Sequence, residues 1–240
     1  MFLWVGAVSS ASAGEPDART IIEQVQQLLR ADTSTASYTM QIITPEWQRT
    51  VRFDAWDDRL RKRFFIRILA PQKERGVSWL KDGSNLWMYL PKLERDIRIP
   101  PSMMLSSWMG SDFTNDDLVK MESMVDDYRH RVIVKDGDVI TIESIPRPEA
   151  PVVWGKIIHR VSRDGLPLSD DYYDEHGMHV RRLVFTEPAM MDGRWIPTRW
   201  LMTTDAKPGH RTEMVIESTR FNPVLSPDIF TRANLRRSWK

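Results

Sequence analysis

The chain has 240 residues and not one cysteine. That absence excludes a disulfide framework, a thiolate metal site and a cysteine nucleophile together. An excess of either charge is also missing: 34 basic residues stand against 33 acidic ones, a formal net charge of +1. General nucleic-acid binders carry a marked basic excess, so that class is set aside. No apolar run reaches the roughly 20 residues that a membrane-spanning helix needs. There is no repeat of fixed period, no Gly-x-Ser-x-Gly, no phosphate-cradling loop and no His-Glu-x-x-His. What the chain has in quantity is large, soft side chains, with Trp 10, Met 13 and Phe 8. Tryptophan supplies broad apolar contact and methionine adapts to irregular shapes, so these suit a packed core or a surface for a lipid-like ligand.

Residues 2–8 form a short apolar run, followed by small residues and by Ala11-Ser12-Ala13. This is the small-x-small pattern of a secretory leader, although no Lys or Arg precedes the run. The expectation is a signal peptide over residues 1–13, cleaved near Ala13, and a mature carrier domain over 14–240. In a two-membrane bacterium that product is periplasmic.

After Asp17, a plausible N-cap, Ile21, Ile22, Val25, Leu28 and Leu29 recur at the spacing of one helical face, which predicts a helix over 18–30. Strand signals follow. Tyr38, Met40 and Ile42 alternate with polar residues, as do Val51, Phe53 and Ala55. Phe64, Ile66 and Ile68 alternate with Arg63, Phe65 and Arg67. Each segment offers one face to a core and one largely to water. Segments 77–81 and 86–90 flank the turn Asp82-Gly83-Ser84-Asn85, and 131–135 and 139–144 flank Asp136-Gly137-Asp138, so both read as hairpins. A short strand is expected at 95–99, and further strands at 154–162, 168–174, 179–186, 198–204 and 213–221. Successive hairpins imply an antiparallel sheet, and a sheet of about ten strands curls or closes. The fold class expected is mainly β with α: a curved antiparallel half-barrel with a helical lid.

Segment 102–120 differs in kind. Met103, Met104, Leu105, Trp108 and Met109 crowd together, with Ser102 able to cap a short helix and Gly110 able to end it. It reads as a helix plus loop laid over the sheet. A curled sheet with a lid leaves an interior that side chains or a ligand must fill. The candidate ligand-binding residues are Trp79, Trp87 and Tyr89 on the first hairpin and Met103, Met104, Trp108 and Met109 on the lid.

Several stretches resemble the outer-membrane lipoprotein-sorting protein family, the LolA/LolB-like periplasmic carriers, in the branch found beside RND-type exporters. They are Trp87-Met88-Tyr89-Leu90-Pro91, Arg98-Ile99-Pro100-Pro101, the run from Met109 to Asp117, Phe221-Asn222-Pro223, Ile229-Phe230 and Ala233-Asn234-Leu235. The resemblance implies a half-open β-barrel (LolA-like) whose apolar cavity receives lipoprotein acyl chains or another lipid for transfer toward the outer membrane. It implies lipid or lipoprotein partners, an RND-type inner-membrane exporter as a further partner, transient membrane contact, and no cofactor. The alternative is a non-catalytic accessory protein without a lipid ligand, docking on an exporter through the acidic segment 112–127.

An enzyme needs convergent polar groups. His176 and His179 with Asp174 are the best metal candidates, but they straddle Gly177 in a turn and lack a fourth ligand. The pairs Asp116-Asp117, Asp126-Asp127 and Asp170-Asp171 have the residue types of glycoside chemistry, yet sequence neighbours on a strand point apart. No catalytic or metal-binding residue is assigned. The basic groups Arg61, Lys62, Arg63 and Arg67 read as a solvated strand face, or as facing lipid head groups or an acidic partner; Arg232, Arg236, Arg237 and Lys240 read as an unstructured terminus, or as drawn to an anionic membrane surface.

Overall fold

The computed structural model describes residues 17–120 and 124–237; the expected leader and Lys240 lie outside the described residues. The chain runs through α1 (Ala18–Arg30), β1 (Thr33–Ile43), β2 (Gln48–Asp58), β3 (Arg63–Ala70), β4 (Ser78–Asp82), β5 (Asn85–Leu90) and β6 (Arg95–Arg98). Two short helices follow, α2 (Asn115–Lys120) and α3 (Met124–Asp127). Then come β7 (Tyr128–Asp136), β8 (Val139–Pro146), β9 (Lys156–Ser162), β10 (Pro167–Tyr173), β11 (His179–Met191), β12 (Arg194–Thr204), β13 (Arg211–Phe221) and α4 (Arg232–Arg236).

Helix α1 forms where its periodicity places it. The Asp17 carboxylate accepts from the Thr20 N–H at 2.8 Å, and Ile21 and Ile22 are buried. The strands make one 13-stranded sheet in the order β6-β5-β4-β3-β2-β1-β13-β12-β11-β10-β9-β8-β7. It is two meanders, β1–β6 and β7–β13, joined by antiparallel pairing of β1 with β13. The edges β6 and β7 do not pair with each other, so the sheet is the open half-barrel expected, and it does not close into a barrel. It is nonetheless strongly curled: Trp79 on β4 and Tyr172 on β10, far apart in strand order, belong to one core with Met40, Phe53 and Met202.

This topology dictates the next feature. Strand β6 ends at one edge and β7 begins at the other, so the connection must cross the sheet. Its described residues, 99–120 and 124–127, lie over the inner face as a strap, pinned along the way. The Arg49 guanidinium donates to the Met109 carbonyl. The Asp112 N–H donates to Thr212 Oγ1 on β13 at 2.9 Å, and that hydroxyl donates back to the Asp112 carboxylate at 2.8 Å. Asp117 accepts from Arg181 on β11. Val125 reaches a small core with Ile22, Ile142 and Val161.

The helix expected over 102–110 does not form. A single 3-10 turn, Pro101–Met103, is followed by irregular chain. Met109 (φ 55°) and Gly110 (φ 77°) both take left-handed conformations, and the Trp108 N–H donates to the Phe113 carbonyl at 2.7 Å, closing a loop instead of a helical turn. The lid's helices lie further on, in α2 and α3.

The outer face of β3 also departs from expectation. Phe65 and Arg67 are both buried, because the C-terminal tail folds back over them. Phe65 and Leu80 pack with Phe230 and Leu235, and Arg67 donates to the Asn234 carbonyl at 2.6 Å. Burial lowers the Arg67 pKa to about 10. Arg232 and Arg236 both bind Asp96, and Arg61 and Arg63 bind Asp58. Most of the expected surface cations are therefore occupied within the fold.

Candidate functional site

Between the curled sheet, α1 and the strap lies a cavity of about 270 Å³. Alternation on the strands supplies its wall. Tyr38 (β1), Phe53 (β2), Phe64 and Ile66 (β3) face it from the first meander; Ile157 (β9), Leu183 and Phe185 (β11) and Met202 (β12) face it from the second. Val25 and Leu29 cover it from α1, and Trp108, Phe113 and Leu118 from the strap. Phe53 and Trp79 meet Trp108 edge-on, with ring centroids 5.4 and 5.6 Å away, so the strap's tryptophan is wedged between two strands. The lining is mostly apolar, and burial pushes the Tyr38 hydroxyl pKa up to about 12.

A few polar groups interrupt this lining. Arg181 on β11 is 3% exposed. Its guanidinium lies between the rings of Trp154, 4.3 Å away, and Tyr172, 4.5 Å away, and donates to both oxygens of Asp117, one at 2.7 Å. Burial alone would lower its pKa, but the hydrogen bonds and charge of Asp117 outweigh that and hold it above the usual arginine value. Arg181 Nε and Trp108 Nε1 are buried without a hydrogen-bond partner. His159 and Asp170 also border the cavity, 2.7 Å apart.

Of the seven residues singled out from the sequence, Trp108 borders the cavity. Trp79 stands directly behind it. Met104 and Met109 pack against the main core, and Met103 is 47% exposed. Trp87 and Tyr89 lie on the opposite face, under the C-terminal tail, where Arg232 stacks on Trp87 at 4.1 Å. Strand register is the cause. Asp82 pairs with Asn85, so Trp79 is opposite Met88, and Trp87 is opposite Leu80. Treating the hairpin's aromatic residues as one surface overlooked that Trp79 and Trp87 point to different sides.

Among the described residues of the acidic segment 112–127, three carboxylates are engaged within the molecule. Asp112 binds Thr212 and Thr204, Asp117 binds Arg181, and Asp126 binds Arg19 at 2.7 Å. His179 contacts Asp205 at 2.6 Å and Asp171 at 3.2 Å, on the face of β11 opposite to Leu183. Sequence reasoning passed over Arg181. The signal was present, since Arg181, Leu183 and Phe185 share one alternating set and place a cation on an inward face.

A family model described as "Uncharacterized protein" matches residues 61–237. The chain belongs to that family. The resemblance to lipoprotein-sorting proteins holds in the fold. A DUF1329 family protein from Desulfovibrio piger superposes with a TM-score of 0.81 at 22% identity, over 91% of this chain and 97% of that one. A putative outer membrane lipoprotein-sorting protein domain from Vibrio parahaemolyticus gives 0.79 at 22%, over 92% and 98%. A LolA superfamily protein from Nitrosomonas europaea gives 0.76 at 19%, over 91% and 99%. The family fold is thus the LolA-like half-barrel. A comparison with curated proteins found no match.

Proposed function

We propose that this family member is a periplasmic carrier that holds one acyl chain of a lipid or lipoprotein under its strap and delivers it toward the outer membrane. The observation that carries the reading is the mostly apolar cavity covered by α1 and a strap that is pinned at separate polar points. A chain in water costs about 0.8 kcal/mol per exposed methylene, and a closed apolar hollow removes that penalty. The volume of about 270 Å³ falls just below the roughly 300–1,000 Å³ of ligand pockets, which suits one chain; several chains need the strap to lift. Three residues that line the cavity carry a buried atom without a partner, Arg30 Nη1, Trp108 Nε1 and Arg181 Nε, and all three atoms are donors, so a ligand end that reaches them carries an acceptor oxygen, as an acyl carbonyl does. The proposed role is non-enzymatic, and the charged groups at the wall stand in pairs, Arg181 with Asp117, His159 with Asp170 and Arg30 with Asp57. Loading from an inner-membrane exporter remains part of the proposal, with no single residue assigned to it.

The test is direct. Protein purified from a periplasmic fraction is extracted and the extract analysed for acyl species. Separately, a brominated fatty acid is titrated against tryptophan fluorescence, which Trp108, Trp154 and Trp200 at the wall should report by saturable quenching. Val25→Glu places a charge at the α1 side of the cavity and should abolish quenching while the circular dichroism spectrum is retained. No acyl species together with no saturable quenching refutes the carrier.

A further inference from the structure

Behind the cavity wall runs a chain of four polar contacts. His130 on β7 lies with Nε2 3.2 Å from the Val125 carbonyl of α3 and Nδ1 2.7 Å from Ser144 Oγ on β8. The same Oγ is 2.9 Å from His159 Nε2 on β9, and His159 Nδ1 is 2.7 Å from an Asp170 oxygen on β10. Ser144 and His159 are buried, with exposures of 0% and 3%. The register makes this possible, since His159 is paired with Asp170 on one side and Ile142 on the other, and Ser144 sits two residues beyond Ile142 on the same face.

Both ends of this chain, a carbonyl and a carboxylate, only accept. Four contacts need four hydrogens. A neutral imidazole brings one, the hydroxyl one and the second neutral imidazole one, which makes three. The set is satisfied only when it holds one more proton. We infer that Val125, His130, Ser144, His159 and Asp170 form a proton-binding site that takes one proton from solvent and couples the cavity wall to the strap.

The placement of that proton follows from the surroundings. Burial lowers the pKa of His130, and Arg19 on α1 and Arg147 after β8 add repulsion, so His130 is the neutral ring. It donates from Nε2 to Val125 and accepts at Nδ1 from Ser144. His159 then donates from both nitrogens, to Ser144 and to the Asp170 carboxylate. The other charged and titratable groups near the set are already paired or neutral: Arg19 with Glu23 and Asp126, Arg181 with Asp117, and Tyr172, whose pKa burial raises. When the set gives its extra proton back to solvent, the His159 Nε2 becomes an acceptor. The Ser144 hydroxyl turns to it, and His130 must donate to Ser144 from Nδ1. His130 thereby exchanges one neutral tautomer for the other, and its contact to Val125 is lost, leaving that carbonyl with the Arg19 guanidinium at 2.9 Å. One of the ties holding α3 is thus proton-dependent. The inference does not need a lipid ligand.

The experiment is imidazole ¹⁵N spectroscopy of the whole protein across the pH range; with five histidines in the chain, assignment by single substitution is practical. The expected result is that His130 switches from the Nε2–H to the Nδ1–H tautomer at the pH where the set loses its extra proton, and that amide exchange in 124–128 speeds up at the same midpoint. Ser144→Ala should abolish the tautomer switch. Asp170→Asn, which keeps the shape, should move the His159 step and the His130 switch together. A His130 ring that keeps one tautomer throughout, or two rings that respond at unrelated pH values, overturns the inference.

Discussion

The Asp117–Arg181 pair is the point where the strap's stability can be measured. Arg181 is 3% exposed, and the Asp117 side chain is 17% exposed. Asp117→Ala leaves a buried guanidinium without its anion, a loss that runs to about 3–5 kcal/mol for a buried pair. Two further effects adjust the figure. Asp117 also accepts from the Thr114 N–H at 2.7 Å, and removing such a cap costs about 1 kcal/mol. Against that, the rings of Trp154 and Tyr172 continue to hold the cation, worth up to about 2 kcal/mol when desolvated. The expected destabilisation is therefore about 3 kcal/mol. Arg181→Met should cost less, because Asp117 stands near enough to water to remain hydrated. The double variant removes the stranded charge, so its loss should fall short of the sum of the singles by about 1–3 kcal/mol. Urea titration at neutral pH, followed by tryptophan fluorescence, reads all four proteins. Single losses below about 1 kcal/mol that add within error would refute the claim that this pair fastens the strap to β11.

Other consequences follow from the tail and the loop before β9. Leu235 is fully buried against Phe65 and Leu80, so Leu235→Ala should cost about 2–5 kcal/mol and make the tail cleavable by trypsin after Arg220; unchanged cleavage would refute the packing. Hydrogen bonds from Arg236 and Arg232 lower the Asp96 pKa to about 2, against about 3.9 in an unfolded chain. Its contribution is thus complete above about pH 4 and lost as the pH falls toward 2, so acid titration of the fluorescence of Trp87 beside Arg232 should show a transition in that window, absent in Asp96→Asn. Gly155 approaches the Asp174 carbonyl so closely that an added Cβ would lie 2.4 Å from its oxygen. Gly155→Ala should cost at least about 1–3 kcal/mol and disturb the neighbouring Trp154, and a thermal melt identical to that of the natural chain would contradict the geometry.

The sequence carried the strands well because most present an alternating pattern. It carried less where a third layer changes what alternation means. Phe65 looks like an outward residue until the tail, about 165 positions later, is known to cover it. Strands β11 and β12 also run further than expected, pairing Pro188 with Pro197 and closing at Asp192-Gly193, because the prolines mask the extension. At the site, Trp108 was visible from the apolar crowding of its segment. The Ser144–His159–Asp170 contacts were not, since each residue alone is an ordinary strand residue and only the register of three successive strands aligns them.

The strap explains why such a molecule keeps a hollow interior instead of a filled one. A connection between the two edges of an open sheet must cross a face, and crossing the inner face places its backbone polar groups over an apolar wall. Those groups need partners. Arg49 meets the Met109 carbonyl and Thr212 the Asp112 N–H, Arg181 holds the Asp117 carboxylate, and Trp108, Phe113, Leu118, Met124 and Val125 reach the cavity as apolar side chains. A few large side chains, spaced by polar anchors, touch the wall at separated points and cannot fill the space between them. The cavity is therefore a product of the topology, and its boundary is held by contacts that are individually separable, one of them an ion pair and one a proton-dependent hydrogen bond.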